Sequence, residues 1–77
     1  MNASSRKVLV KIQVTLEEMI SQLETLVDEA QEAYDNLPES LQDSDREGRM
    51  EESLDTMSSA KDNLEEALSS IEDAVND

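Results

Sequence analysis

Apolar residues recur along the first half of the chain in steps that alternate three and four: Leu9, Ile12, Leu16, Met19, Leu23, Leu26, Ala30, Ala33, Leu37. Sustained over several heptads, this a/d pattern predicts a coiled-coil helix. Ile20, Val27 and Tyr34 fall at the e position beside it and widen the stripe past what one partner helix covers. The second half repeats the pattern with Met50, Leu54, Met57, Lys61, Leu64, Leu68, Ile71 and Val75. Lys61 then stands at an a position, where it is expected to snorkel toward Glu65 one turn on, or to fix register and oligomer state, rather than to act as a catalytic base. Ala60, Ala67 and Ala74 recur one heptad apart at g, small enough for another helix to approach closely.

Between the two patterns lies AYDNLPESLQDSDREGRMEE, residues 33–52, with the chain's only Tyr, Pro and Gly. Pro38 disfavours helical geometry at Leu37, so the first helix should end there. Pro38 itself suits the first turn of a short helical piece, with Leu41 turned back over the tip. Ser44 sits three residues before Glu47, the spacing of a capping box, and should start the second helix. Asp45 and Glu47 in its first turn favour the helix dipole.

The expected fold is all-α: one domain, residues 1–77, forming an antiparallel coiled-coil hairpin. Its helices should span about 5–36 and 44–76, with the bend at 37–44 built by Leu37, Pro38, Leu41 and Ser44. Arms of about 27 residues would be roughly 40 Å long. The facing levels would pair Leu37 with Met50, Leu26 with Lys61 and Ile12 with Val75. One segment admits another reading. Val8, Val10, Ile12, Val14 and Leu16 also alternate with period two, as in a strand. The unbroken heptad favours helix, and Val10 and Val14 then point away from the seam.

Composition bears on oligomeric state. The chain has no Phe, Trp or Cys, so aromatic anchors and disulfides are absent. At 77 residues a single core rarely supplies more than about 3–5 kcal/mol, which makes oligomerisation the natural supplement. The expected assembly is a homodimeric four-helix bundle, with Leu16, Ile20, Leu23, Val27, Tyr34, Ala60 and Ala67 at the interface.

Charge bears on partners. The net charge is −14, with 20 acids against six bases. Residues 1–16 carry Arg6, Lys7 and Lys11 and no acid, so the remainder, with Arg46, Arg49 and Lys61 against all 20 acids, has a balance of −17. Free nucleic acid and anionic membrane would repel such a body. No apolar run approaches the ~20 residues of a membrane span, and a cytoplasmic location is expected. Spread over a 40 Å rod, −17 is about one charge per 2.4 Å, and a dimer would match or exceed the one per ~1.7 Å of B-DNA. Glu24, Asp28, Glu32 and Asp35 form an outward row on the first helix; Asp55, Asp62, Glu66 and Asp73 form another on the second. These rows are the candidate surface for a protein partner with a basic face.

Catalytic chemistry finds little support. There is no His and no Cys, which removes the usual nucleophile and base combinations. No acid occupies an a or d position, so an inward-facing dimetal cluster is not expected. Asp43, Asp45, Glu47 and Gly48 match the first half of an EF-hand loop. The position that must supply a bidentate carboxylate is Leu54, and the seventh is Arg49. Neither catalytic residues, metal ligands nor cofactors are expected.

The stretch Tyr-Asp-Asn-Leu-Pro-Glu-Ser-Leu-Gln at 34–42, followed by an acidic helix with Met-Glu-Glu at 50–52, resembles a bend found in a group of small acidic helical proteins. These are encoded in Gram-positive bacteria and their phages or other mobile elements. The resemblance covers roughly residues 30–75. It implies a mobile-element accessory, a context in which small acidic proteins often inhibit host defence nucleases or regulators. Two functions follow as expectations: an acidic inhibitor docking on a basic, nucleic-acid-binding surface, or a structural coiled-coil adaptor whose acids only confer solubility.

Overall fold

Both heptad segments form continuous α-helices in the computed structural model, which describes residues 1–77. Helix α1 spans Ala3–Asp35 and helix α2 spans Asp45–Asn76, with a single 3-10 turn, Glu39–Leu41, between them. There are no strands; the β-branched stretch at 8–16 lies within α1, and the helical reading holds there. The two helices pack along their length as a hairpin, 60 Å long and 14 by 13 Å across.

The bend is built as its sequence requires. The Asn36 N–H donates to the Glu32 carbonyl (3.0 Å) and the Leu37 N–H to that of Tyr34 (3.2 Å), closing α1. Pro38, at φ −57° and ψ 144°, turns the chain out of the helix and precedes the 3-10 turn. Leu37 is buried and Leu41 half-buried beside it. Ser44 caps α2, its hydroxyl accepting the Glu47 N–H (3.3 Å) and donating to the Leu41 carbonyl. The return arm of the capping box shifts by one residue: the Glu47 carboxylate accepts from the Asp43 N–H rather than from Ser44. Asp43 adopts a left-handed conformation (φ 62°), which Asp tolerates better than most residues.

At the open end α1 begins earlier than expected. Asn2 accepts the Ser5 N–H at 2.8 Å and caps it. The C-terminus of α2 has no basic residue of its own. Arg6 supplies the charge from the other helix, donating to the Val75 carbonyl and lying 3.5 Å from the Asp77 main-chain oxygen. A cation there satisfies orphan carbonyls and opposes the dipole. Arg6, not Ile12, therefore reaches the level of Val75.

The seam corrects the expected register of α1. Alternating steps of three and four also run through Leu9, Gln13, Leu16, Ile20, Leu23, Val27, Ala30, Tyr34 and Leu37, and these are the residues shielded by α2. Ile20, Leu37 and Leu54 form the core, each 8% exposed. Ile12, Met19, Leu26 and Ala33, placed in the seam by the first reading, are exposed. Both registers share the Leu9–Leu37 series, and they differ only in which neighbouring set rotates inward. Ile20, Val27 and Tyr34 are collectively bulkier than Met19, Leu26 and Ala33 near the bend, and only the observed rotation lets Tyr34 reach α2. The residues expected at the dimer interface are thus largely occupied within one chain: Leu16, Ile20, Leu23, Val27 and Tyr34 line the intrachain seam, while Ala60 and Ala67 remain exposed. The α2 register is as the heptads give it, from Met50 to Val75.

Candidate functional site

The acidic rows lie where helical spacing puts them. Glu24, Asp28, Glu32 and Asp35 on α1 are all exposed, as are Asp55, Asp62, Glu66 and Asp73 on α2. The i, i+4 members of each row stand about 5–6 Å apart at Cβ. Of the 20 acidic side chains, only Glu24 and Glu65 form ion pairs, both with Lys61 at 3.8 Å. Lys61 occupies its a position half-buried. Its ammonium reaches out of the seam to Glu65 on its own helix and to Glu24 across the hairpin.

Charge density is lower than the sequence estimate. Because the helices run nearly the full chain, the rod is 60 Å long rather than 40 Å. The net charge of −14 over 60 Å is about one charge per 4 Å, and two copies side by side, −28 in all, would reach about one per 2 Å, slightly sparser than the ~1.7 Å of B-DNA.

At the tip, the residues that imitate a calcium loop have other uses. Glu47 accepts the Tyr34 hydroxyl at 3.4 Å through Oε1 and the Asp43 N–H through Oε2. Asp45 opens α2, and Leu54, at the position a bidentate ligand would need, is core. No three His, Cys, Asp or Glu residues converge in a metal-binding arrangement. Lost hydration raises the Tyr34 phenol above its ordinary value. The charges of Glu51 and Glu47, the hydrogen bond to Glu47 and the charge of Asp35 add to the effect.

Beside the tip, Ala30, Ala33, Met50 and Met57 floor an open depression of about 420 Å³, edged by Arg46, Arg49 and Ser53. Sequence reasoning did not find it, nor the Arg6 cap, because both join residues from opposite arms. The one signal available for Arg6 was its isolation from any acid on its own helix.

No helix is long and apolar enough to cross a membrane. The chain matches no family model, no curated protein and no solved structure.

Proposed function

We propose that this protein is a non-enzymatic binding module that docks through its acidic outer surface on a basic surface of a protein partner. In this reading the partner is a nucleic-acid-binding or defence protein in the cytoplasm, and the module inhibits it by occupying the site of a polyanion. One observation supports it above others: the carboxylates of both rows are presented outward on rigid helices with almost no intramolecular cations against them. Uncompensated charge on a stiff scaffold costs little reorganisation on binding and steers association with a basic groove. The resemblance of residues 30–75 to mobile-element proteins favours a host protein as the target.

The test is to neutralise each row in turn. Glu24→Gln, Asp28→Asn, Glu32→Gln and Asp35→Asn form one variant; Asp55→Asn, Asp62→Asn, Glu66→Gln and Asp73→Asn form the other. Capture from nuclease-treated lysate of a Gram-positive host should yield a stoichiometric partner. Its affinity should fall with either variant, its salt dependence should flatten, and DNA or RNA should compete. A partner that binds this protein and nucleic acid simultaneously, with independent affinities, excludes the mimic.

A second reading, a coiled-coil adaptor with a solubilising acidic surface, is favoured by the exposed Val8, Val10 and Val14 on α1. It expects partner capture insensitive to salt and unchanged by the neutralised rows.

A further inference from the structure

The hairpin has two unlike sides. Glu24, Lys61 and Glu65 mark one side, which also carries Glu17, Glu51 and Glu72 at the heptad-equivalent positions. The other side carries Ile12, Met19, Leu26 and Ala33 on α1, spaced by heptads. On α2 it carries Ser53, Ala60, Ala67 and Ala74 at the same spacing, flanked by the uncharged Thr56, Asn63 and Ser70. That these two stripes share a side follows from the tip depression, which Ala33 lines together with Arg49 and Ser53. In a chain that is 34% charged, this side holds only Glu29, Arg46 and Arg49, all toward the bend. Ile12 is 43% exposed, Met19 44% and Leu26 52%.

From these features we infer that a second copy of this chain covers the uncharged side, forming a two-fold dimer in which α1 of each protomer lies on α2 of the other. Three arguments select this occupant. The first is shape. The Glu24–Lys61 ion pair and the Tyr34–Glu47 hydrogen bond set the level of the two arms. At that level Leu26 stands opposite the gap between Ser53 and Ala60, Met19 opposite that between Ala60 and Ala67, and Ile12 opposite that between Ala67 and Ala74. A two-fold axis along the hairpin preserves these levels and seats each large residue of one copy in a small-residue gap of the other. The arrangement is self-complementary, as an isologous interface must be, and has the knobs-into-holes form of a helical bundle.

The second argument is charge. Two molecules of −14 can approach only where their acids are absent, and this side lacks them. Its one acid, Glu29, comes level with the second copy's Ser53, one turn from that copy's Arg49. A basic partner would find nothing to pair with here. The third is area. A side 60 Å long and 14 Å wide has a footprint of about 800 Å², the share per partner of a stable interface. The protomer's own core is thin, with three buried residues, so the additional burial supplies what a chain of this length lacks. None of the acidic row residues lies on the inferred interface, so the inference does not depend on what the rows bind.

Sedimentation equilibrium of the full chain at micromolar concentration should give twice the 8.6 kDa of the protomer. Met19→Glu with Leu26→Glu, which leaves the seam untouched, should raise the dissociation constant at least 100-fold while circular dichroism still shows helix. If that variant loses its helicity, Met19→Gln with Leu26→Gln replaces it, with a rise of at least tenfold expected. A mixture of Met19→Cys and Ala60→Cys chains should oxidise mainly to the heterodisulfide. A wild type that is monomeric at these concentrations overturns the proposal, and so does a dimer whose affinity neither pair changes. A Met19→Cys homodisulfide as the main product overturns the α1-on-α2 pairing.

Discussion

The Tyr34 hydroxyl donates to Glu47 Oε1 at 3.4 Å, tying the last turn of α1 to the first turn of α2. The contact joins the chain's only aromatic side chain to the carboxylate that also holds the Asp43 N–H. The two bonds engage both oxygens of Glu47 in holding the tip.

The phenol is raised by lost hydration and by Glu51, Glu47 and Asp35. A group whose folded value exceeds its unfolded value adds stability below the unfolded value of ~10, and that contribution is lost as pH rises through the folded value. Absorbance titration of the phenolate should therefore show a native midpoint above that of the unfolded chain. Glu47→Gln should lower it, and alkaline destabilisation should begin above pH ~10. A native midpoint equal to the unfolded one would remove the contact from the account.

Gly48 sits in the first turns of α2 at negative φ, and a Cβ built there meets nothing within 4 Å. Neither backbone conformation nor space requires glycine. Gly48→Ala should stabilise the hairpin by about 1 kcal/mol, the helix-propensity difference, with an upward shift in thermal midpoint as the readout. A destabilised variant would mean that the position is needed for something the folded protomer does not contain.

Lys61 interrupts the apolar seam at an a position, and its two ion pairs at 3.8 Å involve half-exposed carboxylates. Such pairs contribute ~1 kcal/mol or less, whereas a leucine stem buried there contributes about 1–2 kcal/mol. Lys61→Leu should raise the denaturation midpoint in urea. It should also relax the register, because the charge tethers α2 to Glu24. Disulfide trapping between the arms should then report more than one alignment.

Arg6 reaches the carbonyl end of α2 from the opposite arm. Arg6→Gln should cost about 0.5–1 kcal/mol, within the range for a cation at a helix C-terminus. Hydrogen exchange should localise the loss to residues 70–76, with the bend unaffected. Equal loss of protection at both ends would instead indicate a global effect.

The sequence by itself determined the helices, the bend and the acidity of the outer faces. Heptad spacing, Pro38 and the Ser44 cap are local signals, each acting within a few residues. They needed no partner to be legible. The acidic rows followed from the same periodicity, since a residue three or four positions from another shares its face. What only the tertiary structure decided was the rotation of α1. Leu9, Leu16, Leu23, Ala30 and Leu37 belong equally to two seams. Local periodicity cannot choose between Ile12, Met19, Leu26 and Ala33 on one flank and Gln13, Ile20, Val27 and Tyr34 on the other. Packing against α2 makes the choice, because Tyr34 must meet Glu47 and Ile20 must fill the space beside Leu54's helix. The same rotation turns Met19 and Leu26 outward and leaves one side of the hairpin without charge.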